Sequence, residues 1–173
     1  MVATADRKVF RANREICTGC HICELVCSMR QSSVMSPYKA CIRVTPREED
    51  GTFVPSICRH CTRPLCKEAC PVPEAMVMHE TLPGVVVINA KECIGCLACA
   101  DACPFGAIQV SAQQEPLKCD LCDGDPLCVK YCPDRPDNFN PRKPFPAGRA
   151  LEYVLPKNAT RAKRIAIVEK EGG

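Results

Sequence analysis

Sixteen of the chain's 17 cysteines are gathered into four short runs, and that spacing restricts the fold more than any other feature. The runs are Cys17, Cys20, Cys23 and Cys27; Cys58, Cys61, Cys66 and Cys70; Cys93, Cys96, Cys99 and Cys103; and Cys119, Cys122, Cys128 and Cys132. The first and third have the spacing C-x2-C-x2-C-x3-C, while the second and fourth lengthen the middle interval to four and five residues. Three thiols crowded on one tight turn leave no room there for a long strand or an ordinary apolar helix face. The chain must be organised around whatever those sulfurs hold.

Disulfides fit poorly. The cysteine count is odd. The opening residues MVATADRKVFRANREIC carry neither an apolar stretch nor a twin-arginine pair, so a cytoplasmic setting that keeps thiols reduced is expected. Zinc is the competing metal, because C-x2-C pairs are common zinc knuckles, but a structural zinc usually collects two such pairs across a longer loop. Three thiols on one turn suit three corners of an iron–sulfur cube. The fourth cysteine follows too soon, and Cys70, Cys103 and Cys132 each enter Cys-Pro. Proline biases the residue before it towards extended backbone and can itself open a helix, which turns the fourth thiol towards a neighbour. In the bacterial ferredoxin run the fourth cysteine binds the other cluster in this way. Sixteen thiolates then complete four [4Fe–4S] clusters and leave no iron open to a substrate. Electron carriage, with no catalytic residue, is the expected chemistry.

Linker lengths suggest which runs cooperate. Between the second and third lie 22 residues, PVPEAMVMHETLPGVVVINAKE, that read as two extended stretches around Leu82-Pro83-Gly84, with Val85–Ile88 a buried strand. Only 15 residues separate the third and fourth runs, and 30 the first and second. The expected fold class is therefore α+β, with two nested bacterial-ferredoxin-like units. Residues 58–103 would form the inner unit, 14–57 with 104–133 the outer one, and 134–173 an irregular proline-rich tail that docks a partner, the alternative being a tail that wraps its own domain. Exchange of fourth ligands completes Cys17, Cys20 and Cys23 with Cys132, and Cys119, Cys122 and Cys128 with Cys27. It likewise completes Cys58, Cys61 and Cys66 with Cys103, and Cys93, Cys96 and Cys99 with Cys70. Tandem pairing, first with second and third with fourth, is the alternative.

Composition supports a scaffold held by something besides side-chain burial. Aromatics are 5% and tryptophan is absent, which makes for a thin apolar core. The formal charge of +3 counts every thiol as neutral. Sixteen thiolates on four cores of charge +2 would move it to about −5, so the apparent basicity is no argument for nucleic acid. No apolar run reaches the length of a membrane span.

The stretches CRHCTRPLCKEACP and KCDLCDGDPLCVKYCP resemble the second and fourth motifs of four-cluster iron–sulfur subunits of the dimethyl-sulfoxide-reductase type. EICTGCHICELVCS followed by MSPYKACIRV is similar to a short cytoplasmic branch that serves tungsten aldehyde oxidoreductases and benzoyl-CoA reductase complexes. The resemblance covers roughly residues 14–133. It implies a wire of four clusters between a catalytic subunit and a flavoprotein or other acceptor. Tungsten or molybdenum pterin enzymes, hydrogenases and carbon monoxide dehydrogenases are the implied partners, in a hetero-oligomer. A free polyferredoxin is the alternative. Two departures stand out: Cys27 is followed by Ser28 rather than proline, and CPDRPDNFNP replaces the usual helical finish after the fourth run.

Four cations, Arg59, Arg63, Lys67 and Lys118, lie within or beside the cysteine runs; each either raises a cluster potential or is a solvated surface charge. His21 and His60 are expected to pack near the clusters without ligating iron, and His79 carries no signal. Cys41 lies in a hairpin around Glu48–Gly51, where strand alternation would set it with Arg43 and Thr45, opposite Ile42 and Val44; a small buried or half-exposed residue is expected there, with a seventeenth ligand or a redox sensor as the alternative.

Overall fold

The computed structural model describes residues 8–135 and 148–154. Four two-stranded antiparallel sheets alternate with short helices, and each sheet has a defined place relative to the cysteine runs. The hairpin β2 (Arg43–Arg47) and β3 (Thr52–Ser56) separates the first run from the second. The hairpin β4 (Met76–Met78) and β5 (Val86–Ile88) separates the second from the third. A minimal pair, β6 (Gln109–Val110) and β7 (Pro116–Leu117), lies between the third and the fourth. The remaining sheet pairs β1 (Val9–Ala12) with β8 (Leu151–Val154) and ties the two ends of the described residues together.

The Glu48–Gly51 turn closes where Gly51 takes a φ of +66°, a conformation glycine adopts without penalty. Asp50 accepts from the Thr52 N–H and hydroxyl and fixes the exit of that turn. Pro46 faces Phe53 and Pro55 faces Val44 across the ladder. A proline has no N–H to give, so both prolines occupy the non-hydrogen-bonded pairs of the hairpin. The Val44 N–H consequently points away from β3, and the buried Glu24 carboxylate accepts it at 2.6 Å.

The helices are α1 (Ile22–Ser32), α2 (Leu65–Glu68), α3 (Ala98–Asp101) and α4 (Leu127–Lys130), one in each cysteine run. All four begin alike. The residue two positions before the third cysteine, His21, Pro64, Leu97 or Pro126, offers its carbonyl to two successive N–H groups. That common start places the third cysteine early in the first helical turn. The fourth follows four residues later, inside α1 in the first run and two residues past the end of the helix in the other three, a helical turn or about 6 Å further on. Only α1 continues beyond this turn; Ser33, at φ +56°, caps it by donating to the Met29 carbonyl.

Two apolar clusters fill the space between the elements. One gathers Ala40, Ile42, Val44, Ile57 and Leu151 with Cys23, Cys27, Cys58, Cys119 and Cys128. The other joins Met76, Val86 and Ile108 to Cys99. Cysteines thus form much of the core, as the scarcity of aromatics required.

Two expectations change. β8 falls within the stretch read as an irregular tail, and Leu151 is 1% exposed in the larger core; its pairing with β1 anchors residues 148–154 to the body of the protein. The docking reading of 136–147 and 155–173 lies outside the described residues. Cys41 is buried, as a small core residue, but Ile42 is buried too; the expected alternation does not apply, because β2 begins at Arg43 and does not extend back to Cys41. Among the described residues no helix is long and apolar enough to cross a membrane.

Candidate cluster-binding sites

Each cysteine run opens with the same backbone device. The residue before the second cysteine is left-handed in all four: Gly19 (φ +68°), His60 (+46°), Gly95 (+69°) and Leu121 (+64°). In three runs the residue after that cysteine is left-handed too, at His21, Leu97 and Asp123. In the first and third runs these residues alternate with the second cysteine, which turns successive N–H groups to one side and makes a concavity for an anion, a geometry typical of iron–sulfur sites. In the fourth, Cys122 (φ +49°) is left-handed as well, and Leu121–Asp123 is one continuous left-handed stretch. Glycine fills the first position in two runs without penalty. At Leu121 the same conformation costs roughly 1–2 kcal/mol, and histidine, at position 60, tolerates it better than most residues. The backbone geometry explains His60 more directly than any ligand role.

Four cavities lie against these turns, and their walls sort the cysteines. Cys17, Cys20, Cys23 and Cys132 line the first, with Val44, Pro55 and Leu151. Cys27, Cys119, Cys122 and Cys128 line the second, joined by Cys41. Cys58, Cys61, Cys66 and Cys103 line the third, with Val86, Ile108 and Lys118. Cys70, Cys93, Cys96 and Cys99 line the fourth, with Met76 and Ile88. Every cavity receives three thiols from one run and one from another. The helical turn between third and fourth cysteines makes that division, since sulfurs one turn apart open onto different cavities.

The donor set fits a cationic polynuclear core. Tetrahedral zinc, with Zn–S near 2.3 Å, needs sulfurs within about 3.8 Å of one another. Among the described residues no three cysteine, histidine or acidic side chains converge closely enough to hold one metal ion; the thiols stand around a void. Burial pushes the Cys23 thiol up to about 12 and the Cys99 thiol up to about 11. It raises Cys17, Cys66, Cys119, Cys122 and Cys128 as well. Such dry thiols keep their protons unless a metal replaces them. Cys27 departs from this pattern. The Cys41 thiol hydrogen-bonds its sulfur, the Cys41 N–H approaches at 3.3 Å, and together they lower Cys27 to about 7. Cys41 is raised in turn, its proton held in that bond. Backbone donors also reach Cys103 from Ala107 (3.4 Å) and Cys119 from Leu121 (3.4 Å). When bound, a [4Fe–4S] core takes up or gives out one electron at a potential set by charge, hydrogen bonds to sulfur and exposure.

The four cations separate clearly. Arg63 is exposed and grips Glu68 with two nitrogens. Arg59 lies over the Phe105 ring, 4.0 Å from its centre. Lys67 donates to the Met76 carbonyl. Lys118 alone among them is buried, donating to the Val86 carbonyl and reaching Cys58 Sγ at 3.5 Å. A fifth, Arg135, lines the first cavity and donates to Thr18. Sequence reasoning missed both Arg135 and Glu24. Glu24 follows Cys23, is 1% exposed, and accepts from Val44 and His21; nothing in its local sequence distinguishes it from a surface glutamate.

Known proteins share this organisation. The 4Fe-4S dicluster domain matches residues 49–142, and a 4Fe-4S binding domain matches residues 14–30. An uncharacterized ferredoxin of Methanocaldococcus jannaschii is 41% identical over 69% of this chain and 64% of its own length. The polyferredoxin-like subunit of an aliphatic sulfonate oxidoreductase from Pyrococcus furiosus is 38% identical over 67% of this chain and 66% of its own. A component polypeptide of the anaerobic dimethyl sulfoxide reductase of Haemophilus influenzae is 33% identical over 76% and 73% respectively. The match thus spans slightly under two thirds of the length of the first two relatives. With the dicluster domain covering more than half its length, the protein belongs to the 4Fe-4S dicluster family of iron–sulfur proteins.

Proposed function

We propose that this chain is the electron-transfer subunit of an oxidoreductase complex and holds four [4Fe–4S] clusters, with no bond-making chemistry of its own. The observation that carries the reading is the wall of each cavity: four cysteines of the runs, three from one turn and the fourth from another run, with Cys41 added in the second. The ligand sets are Cys17, Cys20, Cys23 and Cys132; Cys119, Cys122, Cys128 and Cys27; Cys58, Cys61, Cys66 and Cys103; and Cys93, Cys96, Cys99 and Cys70. With four thiolates on every core, no iron is left open to bind a substrate. This exchange makes two nested ferredoxin-like units, an inner one at 58–103 and an outer one from 14–57 with 104–133.

Two relatives, one a subunit of a sulfonate oxidoreductase and one a component of a dimethyl sulfoxide reductase, support a place beside a larger catalytic subunit. A tungsten or molybdenum pterin aldehyde oxidoreductase is the partner we favour, with a flavoprotein or soluble acceptor at the other end, in the cytoplasm. The test is anaerobic purification of the tagged chain from its native host, followed by metal analysis and mass spectrometry. About 16 irons with matching acid-labile sulfide, and a pterin-bearing subunit in the same particle, are expected. A colourless protein that holds zinc would overturn the cluster reading. Iron-loaded protein that elutes as a lone monomer would overturn the subunit reading in favour of a free carrier.

A further inference from the structure

Lys118 immediately precedes the first cysteine of the fourth run, yet its side chain leaves that run. It crosses to the third cavity, where Cys58, Cys61, Cys66 and Cys103 stand, and its ammonium lies 3.5 Å from Cys58 Sγ. A second bond, to the Val86 carbonyl on β5, fixes it there. Lys118 is 8% exposed and is the one buried lysine or arginine among the described residues. A buried ammonium is stable only where an anion or strong acceptors surround it. In the third cavity one neutral carbonyl supplies part of that, and the thiolates supply the rest.

We propose, building on the four-cluster reading, that Lys118 sets the potential of the cluster held by Cys58, Cys61, Cys66 and Cys103, and makes it the site where an incoming electron rests. The four thiolates and their core gain one unit of negative charge when one electron is added and no proton follows. An ammonium at 3.5 Å, shielded from water, favours that added charge more than the state before it. Arg59 and Arg63 also line this cavity but are exposed, one over the Phe105 ring and the other on the exposed Glu68, where water screens them. Lys67 donates to the Met76 carbonyl. Lys118 is the cation both buried and in reach of a cysteine sulfur. The placement also has a consequence for the path. Cys119, the next residue, belongs to the second cavity, so the Lys118–Cys119 peptide spans the seam between an inner and an outer site. A cation there draws the electron across that seam into the inner unit.

The experiment is film voltammetry on the full chain, reconstituted anaerobically, as wild type and as Lys118→Met, Lys118→Gln and Lys118→Arg, with iron and sulfide counted first. In the neutral variants one couple should shift so that its reduced-to-oxidised ratio at a fixed electrode potential falls about tenfold, or 59 mV for one electron. The other couples should stay in place. Lys118→Arg, which keeps the charge, should lie within about threefold of wild type, roughly 28 mV by the same constant. Unmoved couples in fully loaded neutral variants would overturn the proposal, as would an arginine variant displaced as far as the neutral ones. Loss of iron from both neutral variants would make Lys118 a structural support and overturn it too. A wild-type protein that lacks iron or shows fewer than four couples would instead sink the four-cluster reading, before any variant is compared.

Discussion

Replacing Glu24 separates the roles of charge and shape in holding the first cysteine run against the sheet. The carboxylate is 1% exposed and accepts the Val44 N–H at 2.6 Å and His21 Nδ1 at 2.9 Å. Arg43 is 3.9 Å away, at the limit of an ion pair and a quarter exposed, so solvent screens much of its attraction. In Glu24→Ala the Val44 N–H, itself buried, loses its acceptor and cannot turn to β3, because Val44 and Pro55 form a non-hydrogen-bonded pair and this N–H points away from that strand. An unsatisfied buried donor costs about 1–3 kcal/mol, and the space left by the side chain adds about 1 kcal/mol. His21 is 43% exposed and finds water instead. The expected loss is about 3 kcal/mol for alanine. Glu24→Gln keeps an amide oxygen on the Val44 N–H and gives up only the charge assistance, about 1 kcal/mol.

At about 2–4 °C per kcal/mol for a chain of this size, alanine should lower the midpoint by ~6–12 °C and glutamine by ~2–4 °C. The assay is an anaerobic thermal ramp followed by the visible absorbance of the bound clusters. All proteins are scanned at one rate, because cluster loss is irreversible. An alanine variant within about 2 °C of wild type would refute the reasoning. So would a glutamine variant as unstable as alanine, since charge and not the acceptor would then be the essential element.

Gly19→Ala and Gly95→Ala share the strain of a left-handed residue, about 1–2 kcal/mol, but differ in space. An added Cβ at Gly19 meets Phe53 at 2.4 Å, whereas at Gly95 its nearest neighbour is the Gln114 carbonyl at 3.7 Å. Gly19→Ala should therefore lose iron at a lower temperature than Gly95→Ala by the ramp above; equal midpoints would count against the Phe53 contact. Cys41→Ala should retain about 16 irons per chain, yet lower one midpoint by removing the thiol that hydrogen-bonds Cys27; loss of a whole cluster would make Cys41 a ligand. Cys132→Ser should alter the paramagnetic signal of the site bound by Cys17, Cys20 and Cys23, and leave that of Cys119, Cys122 and Cys128 in place. A change confined to the latter would show that each run keeps its own fourth thiol.

What the sequence disclosed was local. The hairpin at Glu48–Gly51 and the strand pair around Leu82-Pro83-Gly84 both follow from turn residues between apolar stretches, and both are present. β1 and β8 carried no such signal. Each is four residues long, no turn joins them, and their pairing sets Val9 against Val154, a contact between distant parts of the chain that no local pattern announces. Glu24 carried no signal for the same reason, and Lys118, though singled out beside its cysteine run, could not be told from a surface charge. A charged side chain reads as solvent-exposed until its surroundings are known, and both owe their burial to partners far along the chain, Val44 for one and Cys58 for the other. His60 shows the limit from another direction, since its left-handed backbone is demanded by its place in the turn and not by its chemistry.

The interval lengths in the four runs have a single physical basis. The first interval never departs from two residues, because the turn between first and second cysteines needs one left-handed residue at a fixed place, be it Gly19, His60, Gly95 or Leu121. The last never departs from three, because cysteines four positions apart lie about one helical turn apart. A change of one residue there would rotate the fourth thiol by about 100° and away from its cavity. The middle interval carries no such condition. In the first and third runs the helix begins at once, from left-handed His21 and Leu97. In the second and fourth the added residues form a loop that ends at Pro64 and Pro126, whose carbonyls begin the helix in the same register. Extra residues are therefore accommodated only between the anion-binding turn and the helix. A fold built on side-chain packing has no reason to hold two intervals constant and release the third; the proposed ligand exchange, three sulfurs round one core and a fourth round the next, supplies one.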